Sequence, residues 1–296
     1  KGTRRVSAEK QDTRRASAEA AMADDRKRES RATRGRLALY HVLLLGTVFV
    51  VWHLLTNPLL VSEEFARNTA FFFGKPLVVL EKTWEWFAGG KIYEHLLVTL
   101  IETLLAFGIG TALGLGIGLW LALSPLASAL ADPYIKAMNA MPRVILAPIF
   151  AVWFGLGILS KVALGITLVF FIVFFNVYQG VREVSPVVLN NARMLGASGG
   201  QLLRTVYVPS AMSWVFSSLH TSVGMAFVGA VVGEYLGSSR GVGYLILQAE
   251  GAFDINTVFA GILVLTAFAL ALDALVSAAE KRLLVWRPAQ GETDVL

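Results

Sequence analysis

REVSPVVLNNARMLGASGGQLLRTVYVP, running from Arg182 to Pro209, is a polar segment in an otherwise apolar region of the chain, yet it still reads as helix. Ser185 followed by Pro186 is a helix start: the serine caps, and proline at the first helical position lacks only an amide that would have no partner there. Gly196 can take the left-handed conformation that ends a helix, and Ser198 with Gln201 forms a capping box for a second helix through Arg204. The local reading is two short helices joined by a tight turn, an elbow. An ordinary amphipathic connector would obey the same local rules.

On either side of the elbow the sequence turns strongly apolar. Of the 296 residues 55% are hydrophobic and 16% charged. Mean hydropathy is +0.62, and the apolar share exceeds the roughly 45 to 50% of a soluble domain. A bilayer-spanning helix needs about 20 mostly apolar residues, and six such stretches are read, at about 37–55, 95–123, 144–156, 162–181, 211–236 and 258–278. The first has no cleavage site after it and is read as an anchor. The second carries Gly108, Gly110, Gly114, Gly116 and Gly118 near a small-xxx-small spacing, which suits close helix packing. The third is short, follows Pro142 and contains Pro148, so a kinked or interrupted helix is expected. Trp52, Trp153, Tyr178, Trp214, Tyr235 and Trp286 suit interfacial belts.

Alternate loops carry Arg34 and Arg36; Lys136 and Arg143; Arg182, Arg193 and Arg204; and Lys281, Arg282 and Arg287. Lysine and arginine are enriched in cytoplasmic loops, so these are placed inside, with both termini in the cytoplasm. In the opposite loops positive charge is diluted by Glu63, Glu64, Glu81, Glu85, Glu234, Glu250 and Asp254. The domain reading is a disordered basic tail at 1–36, a six-span domain at 37–287 that includes the elbow, and a short tail at 288–296. The net charge of +5 sits in that first tail, which mixes both signs and lacks large apolar residues, so a disordered segment is expected rather than a nucleic-acid arm. Residues before Met22, the first methionine, are read as an upstream extension or misassigned start and left out of fold reasoning.

The elbow's spacing resembles the EAA loop of ABC importer permeases: Glu-Ala-Ala, three residues, Gly, nine residues, then Ile-x-Leu-Pro. Ala192 matches the last alanine, Gly196 follows after three residues, and Val206, Val208 and Pro209 follow after nine more. Asn190 and Asn191 stand where the pattern has glutamate and alanine. The resemblance extends over about Ala38 to Trp286 and looks closest to permeases of the nitrate, sulfonate and taurine group. Its carrying stretches are FGKPLVVLEKTWEWF from Phe73, PRVILAPIFAVWFGLGILSK from Pro142, the elbow, and EYLGSSRGVGYLILQAEGAFDINTVFAGIL from Glu234. Gly155, Gly157, Ser160 and Lys161 match that group's loop after span three, and Gly241, Gly243, Tyr244 and Leu245 its loop after span five. Arg143 departs from the commoner apolar residue after the proline.

The resemblance implies an all-α integral membrane protein of the type I ABC importer permease fold. The elbow would then be a coupling helix seated in a groove of an ATPase subunit, carried by Asn190, Asn191, Ala192, Arg193, Gly196, Ala197, Ser198, Arg204 and Pro209. Implied partners are two ATPase copies, a periplasmic or lipoprotein solute-binding protein and a second permease copy, in the bacterial inner membrane, with membrane lipid around them and no nucleic acid. No cofactor or metal is expected. The expected solute is a small anion such as a sulfonate, taurine, nitrate or an aromatic carboxylate, with a neutral pyrimidine-type vitamin precursor as the other reading.

Polar residues inside apolar runs are the pathway candidates: Asn139, Asn176, Gln179, His220 and Glu102. Each also has a structural reading, as helix-to-helix hydrogen bonding or, for Glu102, a contact near the outer interface. Glu234 is read as hydrated at a span end, and Asp273 as pairing with a cytoplasmic-side cation. The four histidines, His41, His53, His95 and His220, are scattered with no HExxH arrangement, there is no cysteine, and no GxxxxGK[ST] phosphate loop occurs. The chain therefore cannot hydrolyse ATP itself. An ion-coupled carrier or channel subunit is the alternative function.

Overall fold

The computed structural model describes residues 35–37 and 39–283. The tail expected at 288–296, and all of the basic head except Gly35 and Arg36, lie outside the described residues. Two compact units divide between Leu77 and Val78. The first holds α1 (Gly35–Leu55) and α2 (Glu63–Phe73), the latter capped at Ser62, whose Oγ accepts from the Phe65 amide.

α3 (Pro76–Ala88) leads into the second unit, which continues with α4 (Lys91–Leu123), α5 (Pro125–Ala140), a 3-10 turn (Arg143–Ile145) and α6 (Leu146–Phe154). Next come α7 (Ile158–Arg182), α8 (Pro186–Met194), α9 (Gly199–Leu202) and a π-helical turn (Leu203–Tyr207). α10 (Val208–Ser217), α11 (Leu219–Leu236), α12 (Val242–Gly251) and α13 (Ile255–Leu283) complete it. Every regular element among the described residues is helical.

Four helices are long and apolar enough to cross a membrane: α1, α4, α7 and α13. Two bent pairs raise the number to six if each is one span: Pro125–Ala140 with Arg143–Phe154, bent by 79°, and Gly199–Phe216 with His220–Leu236, bent by 59°. The stretch 125–140, read from sequence as a loop carrying Lys136, is thus helix, and the expected third span at 144–156 holds the short helix α6, which is long enough to span only together with it. The break lies at Pro142 rather than Pro148. Proline disfavours the helical region for the residue before it, and Met141 is extended at φ −72°, ψ 134°. Pro148 falls in the first turn of α6, where its missing amide costs little.

The fifth span, read as unbroken, also breaks, at Ser218. There the side-chain hydroxyl donates to the Val215 carbonyl at 2.9 Å, and the local bond competes with the helix ladder. α12, read as part of a loop, buries Val242, Gly243, Ile246 and Ala249.

α7 is the centre of the second unit. Its Val169, Val173, Val177 and Val181 form a buried cluster with Ala106 of α4, Ala211 and Val215 of α10 and Ala226 of α11. α4 meets it through Gly110, Gly114 and Gly118, four residues apart on one face. A Cβ at these positions would sit within 2.8 to 2.9 Å of Val169, Val173 and Val177 in turn. Gly108 and Gly116 face open space, so three of the five glycines make the close approach that small residues permit.

Candidate functional site

Local rules build the elbow. α8 begins at Pro186 after Ser185, although the serine side chain makes no capping bond. Gly196 is left-handed at φ +85°, and its amide bonds to the Arg193 carbonyl at 2.9 Å while Ala197 N–H reaches Ala192 O at 3.0 Å. The capping box is complete: Ser198 Oγ accepts from Gln201 N–H, and Gln201 Oε1 accepts from Ser198 N–H at 2.7 Å. Gly196 to Gly200 also fit the spelling of a GxSxG nucleophile elbow. That turn joins a strand to a helix, whereas here helix precedes it and Ser198 Oγ is a cap.

The second arm differs from the expected short helix ending at Arg204. α9 passes through the π turn into α10, so the elbow's second arm and the first half of the fifth span are one continuous rod. Pro209 explains the π turn: it offers no amide to the Thr205 carbonyl and its ring crowds it, and widening the helix relieves both. Ser210 Oγ donates to Gly180 O at 2.8 Å, tying the root of this arm to the end of α7. A Cβ at Gly180 would overlap the Trp214 ring, so the two helices touch closely there.

At the tip, Asn190, Asn191, Arg193, Gly196 and Ser198 are exposed and Ala192 and Ala197 half-buried. Met194 and Leu195 are 86% and 89% exposed. Two large apolar side chains thus point away from the chain at the turn.

The five pathway candidates do not converge. Asn176 Nδ2 donates to its own helix at Ile172 O, 2.8 Å, and Gln179 Nε2 donates to Glu183 Oε1 at 2.9 Å. His220 sits between two carboxylates of α13, Nδ1 at 2.9 Å from Asp273 Oδ1 and Nε2 at 2.9 Å from Glu280 Oε2. Asp273 thus meets a histidine ring. Asn139 Oδ1 accepts from Arg143 Nη2, and Glu102 belongs to a buried node.

That node was not foreseen as a unit. Glu102, Lys161 and Glu234 are each 1% exposed or less. Glu234, expected to be hydrated, instead accepts from Thr99 Oγ1 at 2.6 Å and from Gly243 N–H at 2.7 Å. Thr99 Oγ1 accepts from Val242 N–H at 3.3 Å, and His95 Nδ1 accepts from Gly241 N–H at 3.1 Å. The Glu102 and Glu234 carboxyls interact with each other and both feel the Lys161 ammonium, which donates to Gly157 O at 3.0 Å and to Leu156 O. Gly241, at φ +102°, and Gly243 leave room for the Glu234 carboxylate, since a Cβ at either would press on it. The node fastens α4, α7, α11 and the start of α12 together. Among the described residues no group of three or more His, Cys, Asp or Glu could hold a metal. The matched residues Lys161, Gly241 and Gly243 were the signal available in sequence, but nothing there joined them to Glu102.

Comparison with known proteins agrees with this architecture. Residues 114–285 match the family described as binding-protein-dependent transport system inner membrane component. The chain is 34% identical over 218 residues to the riboflavin transport system permease protein RibX of Chloroflexus aurantiacus, covering 73% of this chain and 81% of that one. It is 30% identical over 246 residues to SsuC of Bacillus subtilis, whose name gives it as an aliphatic sulfonates transport permease, covering 83% and 87%. A chain of the MetNI methionine ABC transporter in an inward-facing conformation superposes with a TM-score of 0.56 at 17% identity, over 66% of this chain and 95% of that chain. The last likeness concerns fold alone.

Proposed function

This chain belongs to the family of inner membrane components of binding-protein-dependent transport systems, and from that premise we propose that the Arg182–Pro209 elbow is the surface its ATPase subunit grips. The chain is the multi-pass permease subunit of an ATP-driven importer, with the type I permease fold. It is not an enzyme: a separate ATPase hydrolyses ATP, a binding protein supplies the solute, and the assembly is dimeric.

The observation that carries the elbow assignment is the pair Met194 and Leu195, 86% and 89% exposed beside the left-handed Gly196. Burying a large apolar side chain contributes roughly 1.5 to 3 kcal/mol, so this tip gains from a partner's groove. Arg193 and Arg204 flank it with charge, and Ala192, Ala197 and Gly200 keep the approach close. Force applied at the tip has a route inward. The second arm runs unbroken into α10, and the Ser210 to Gly180 bond passes the same displacement to α7. ATP-driven closure of two ATPase subunits thereby turns helices at the centre of the fold, and the permease alternates between inward- and outward-facing states.

The partner permease is a second copy of this chain, with the route at the twofold axis. α5 supports this, because it buries no residue within its own chain. Both termini lie in the cytoplasm, on the side of Arg182, Arg193 and Arg204. The permease domain spans 37–287, and the solute is a small anion, in line with the relative named for sulfonates. A tagged chain purified in mild detergent from its host should bring down the ATPase, and M194E with L195E should lower that recovery about tenfold, a loss of about 1.4 kcal/mol. Undiminished recovery in the double variant would place the docking surface elsewhere.

A further inference from the structure

Arg143 was assigned from sequence to a cytoplasmic loop, and the structure puts it elsewhere. It lies at the 79° break between α5 and α6, its guanidinium 4.4 Å above the ring of Phe171. Phe171 is in the middle of α7, about 20 Å from the first residue of that helix and about 17 Å from the last at 1.5 Å per residue. The cation therefore stands at mid-depth of a membrane-crossing helix. Charges there are costly and mark functional positions.

No acidic residue among those described pairs with Arg143. Its Nη2 donates to the Asn139 carbonyl at 3.2 Å and to Asn139 Oδ1. Its Nε is buried and has no acceptor, and no acceptor meets Nη1 among the described residues. The face around it is uncovered: α5 and the 3-10 turn bury nothing, and α6 buries Ala147. Lys161, a fully buried cation, differs in both respects, since it has two carbonyl acceptors and feels two carboxyls.

Resting on the reading of the chain as a permease, we propose that Arg143 is an anion-binding residue of the translocation route, receiving a carboxylate, sulfonate or similar oxyanion group of the solute. A planar guanidinium matches two oxygens of such a group at once. Asn139 holds the fork from one side and the Phe171 ring supports it from below, so the free N–H groups keep their direction without a protein counter-ion. The break at Pro142 opens the helix where the solute must pass, and the missing counter-ion is the solute itself. Release follows when the second span half moves and the guanidinium leaves the anion.

The test uses the permease–ATPase complex in mild detergent, titrated with acetate, benzoate, methanesulfonate and nitrate. Acetamide, benzamide and dimethyl sulfone serve as uncharged counterparts, all against a constant chloride background, with thermal unfolding as the readout. At least one anion should raise the unfolding midpoint while its uncharged counterpart does not. R143Q should need about tenfold more of that anion for the same shift, and R143K should recover part of the response, because it keeps the charge and loses the fork. Equal shifts from anions and neutral counterparts, no shift from any anion, or a wild-type response in R143Q would each overturn the proposal. So would an R143Q midpoint that falls with its anion response intact, the mark of a purely structural pin over Phe171. A wild-type chain that retains no ATPase would instead sink the permease reading, before any titration begins.

Discussion

The elbow at 182–209 and the buried node around Glu234 are held by opposite means. Bonds in the elbow turn close over three to five residues, as from Gly196 to Arg193, Ala197 to Ala192 and Gln201 to Ser198. In the node they close over great sequence distances: Thr99 to Glu234 spans 135 residues and Gly241 to His95 spans 146. The elbow leaves the large apolar side chains of Met194 and Leu195 exposed at its tip. The charged residues of the node are closed to solvent, and Glu234 finds its hydrogen-bond partners within the chain. Shape in the first is set locally and can move as a unit, whereas in the second it exists only once the bundle has assembled.

The sharpest way to break that comparison is at Glu234. E234A leaves the Gly243 amide and the Thr99 hydroxyl without their acceptor and removes one of the two carboxyls near Lys161. Leaving two buried donors unpaired in this way costs about 1 to 3 kcal/mol each, so the thermal midpoint of the purified importer should fall steeply or the complex fail to assemble. A midpoint near wild type would mean the node is not a structural fastening.

A smaller effect on stability, with a larger one on function, is expected at Gly196. G196V places a β-branched residue at φ +85° in open space, which strains the backbone by about 1 to 2 kcal/mol and leaves the bundle intact. ATP hydrolysis should persist while uptake of solute into vesicles falls. Uptake unchanged from wild type would remove Gly196 from the coupling role. The smallest effect belongs to S198A, which loses one cap worth about 1 kcal/mol. Transport should stay close to wild type, and a loss as large as that of G196V would show that the cap itself transmits force.

The same contrast decides what was legible in the sequence. Ser198 with Gln201 and the turn at Gly196 were readable because each is a short-range pattern with a single physical meaning. Glu234 was misread as hydrated because the Gly/Ser run beside it looks like a loop, while its partners Thr99 and Gly243 are brought to it only by packing of α4 and α12 on α11. Arg143 was read as a loop residue for a related reason. Counting positive charge between apolar runs cannot tell a loop from a broken span, and 125–140 is amphipathic enough to pass for either. Span boundaries were read well where the helix is straight, as in α7, and poorly where Pro142 or Ser218 interrupts it.

The glycine face of α4 also bears on motion. With Gly110, Gly114 and Gly118 meshed against Val169, Val173 and Val177, α4 and α7 have no room to slide or roll against each other without collision. They form a stator. Changes of shape within the bundle then fall to the two joints that the fold provides, at Pro142 and at Ser218, in the bent helix pairs packed against that block.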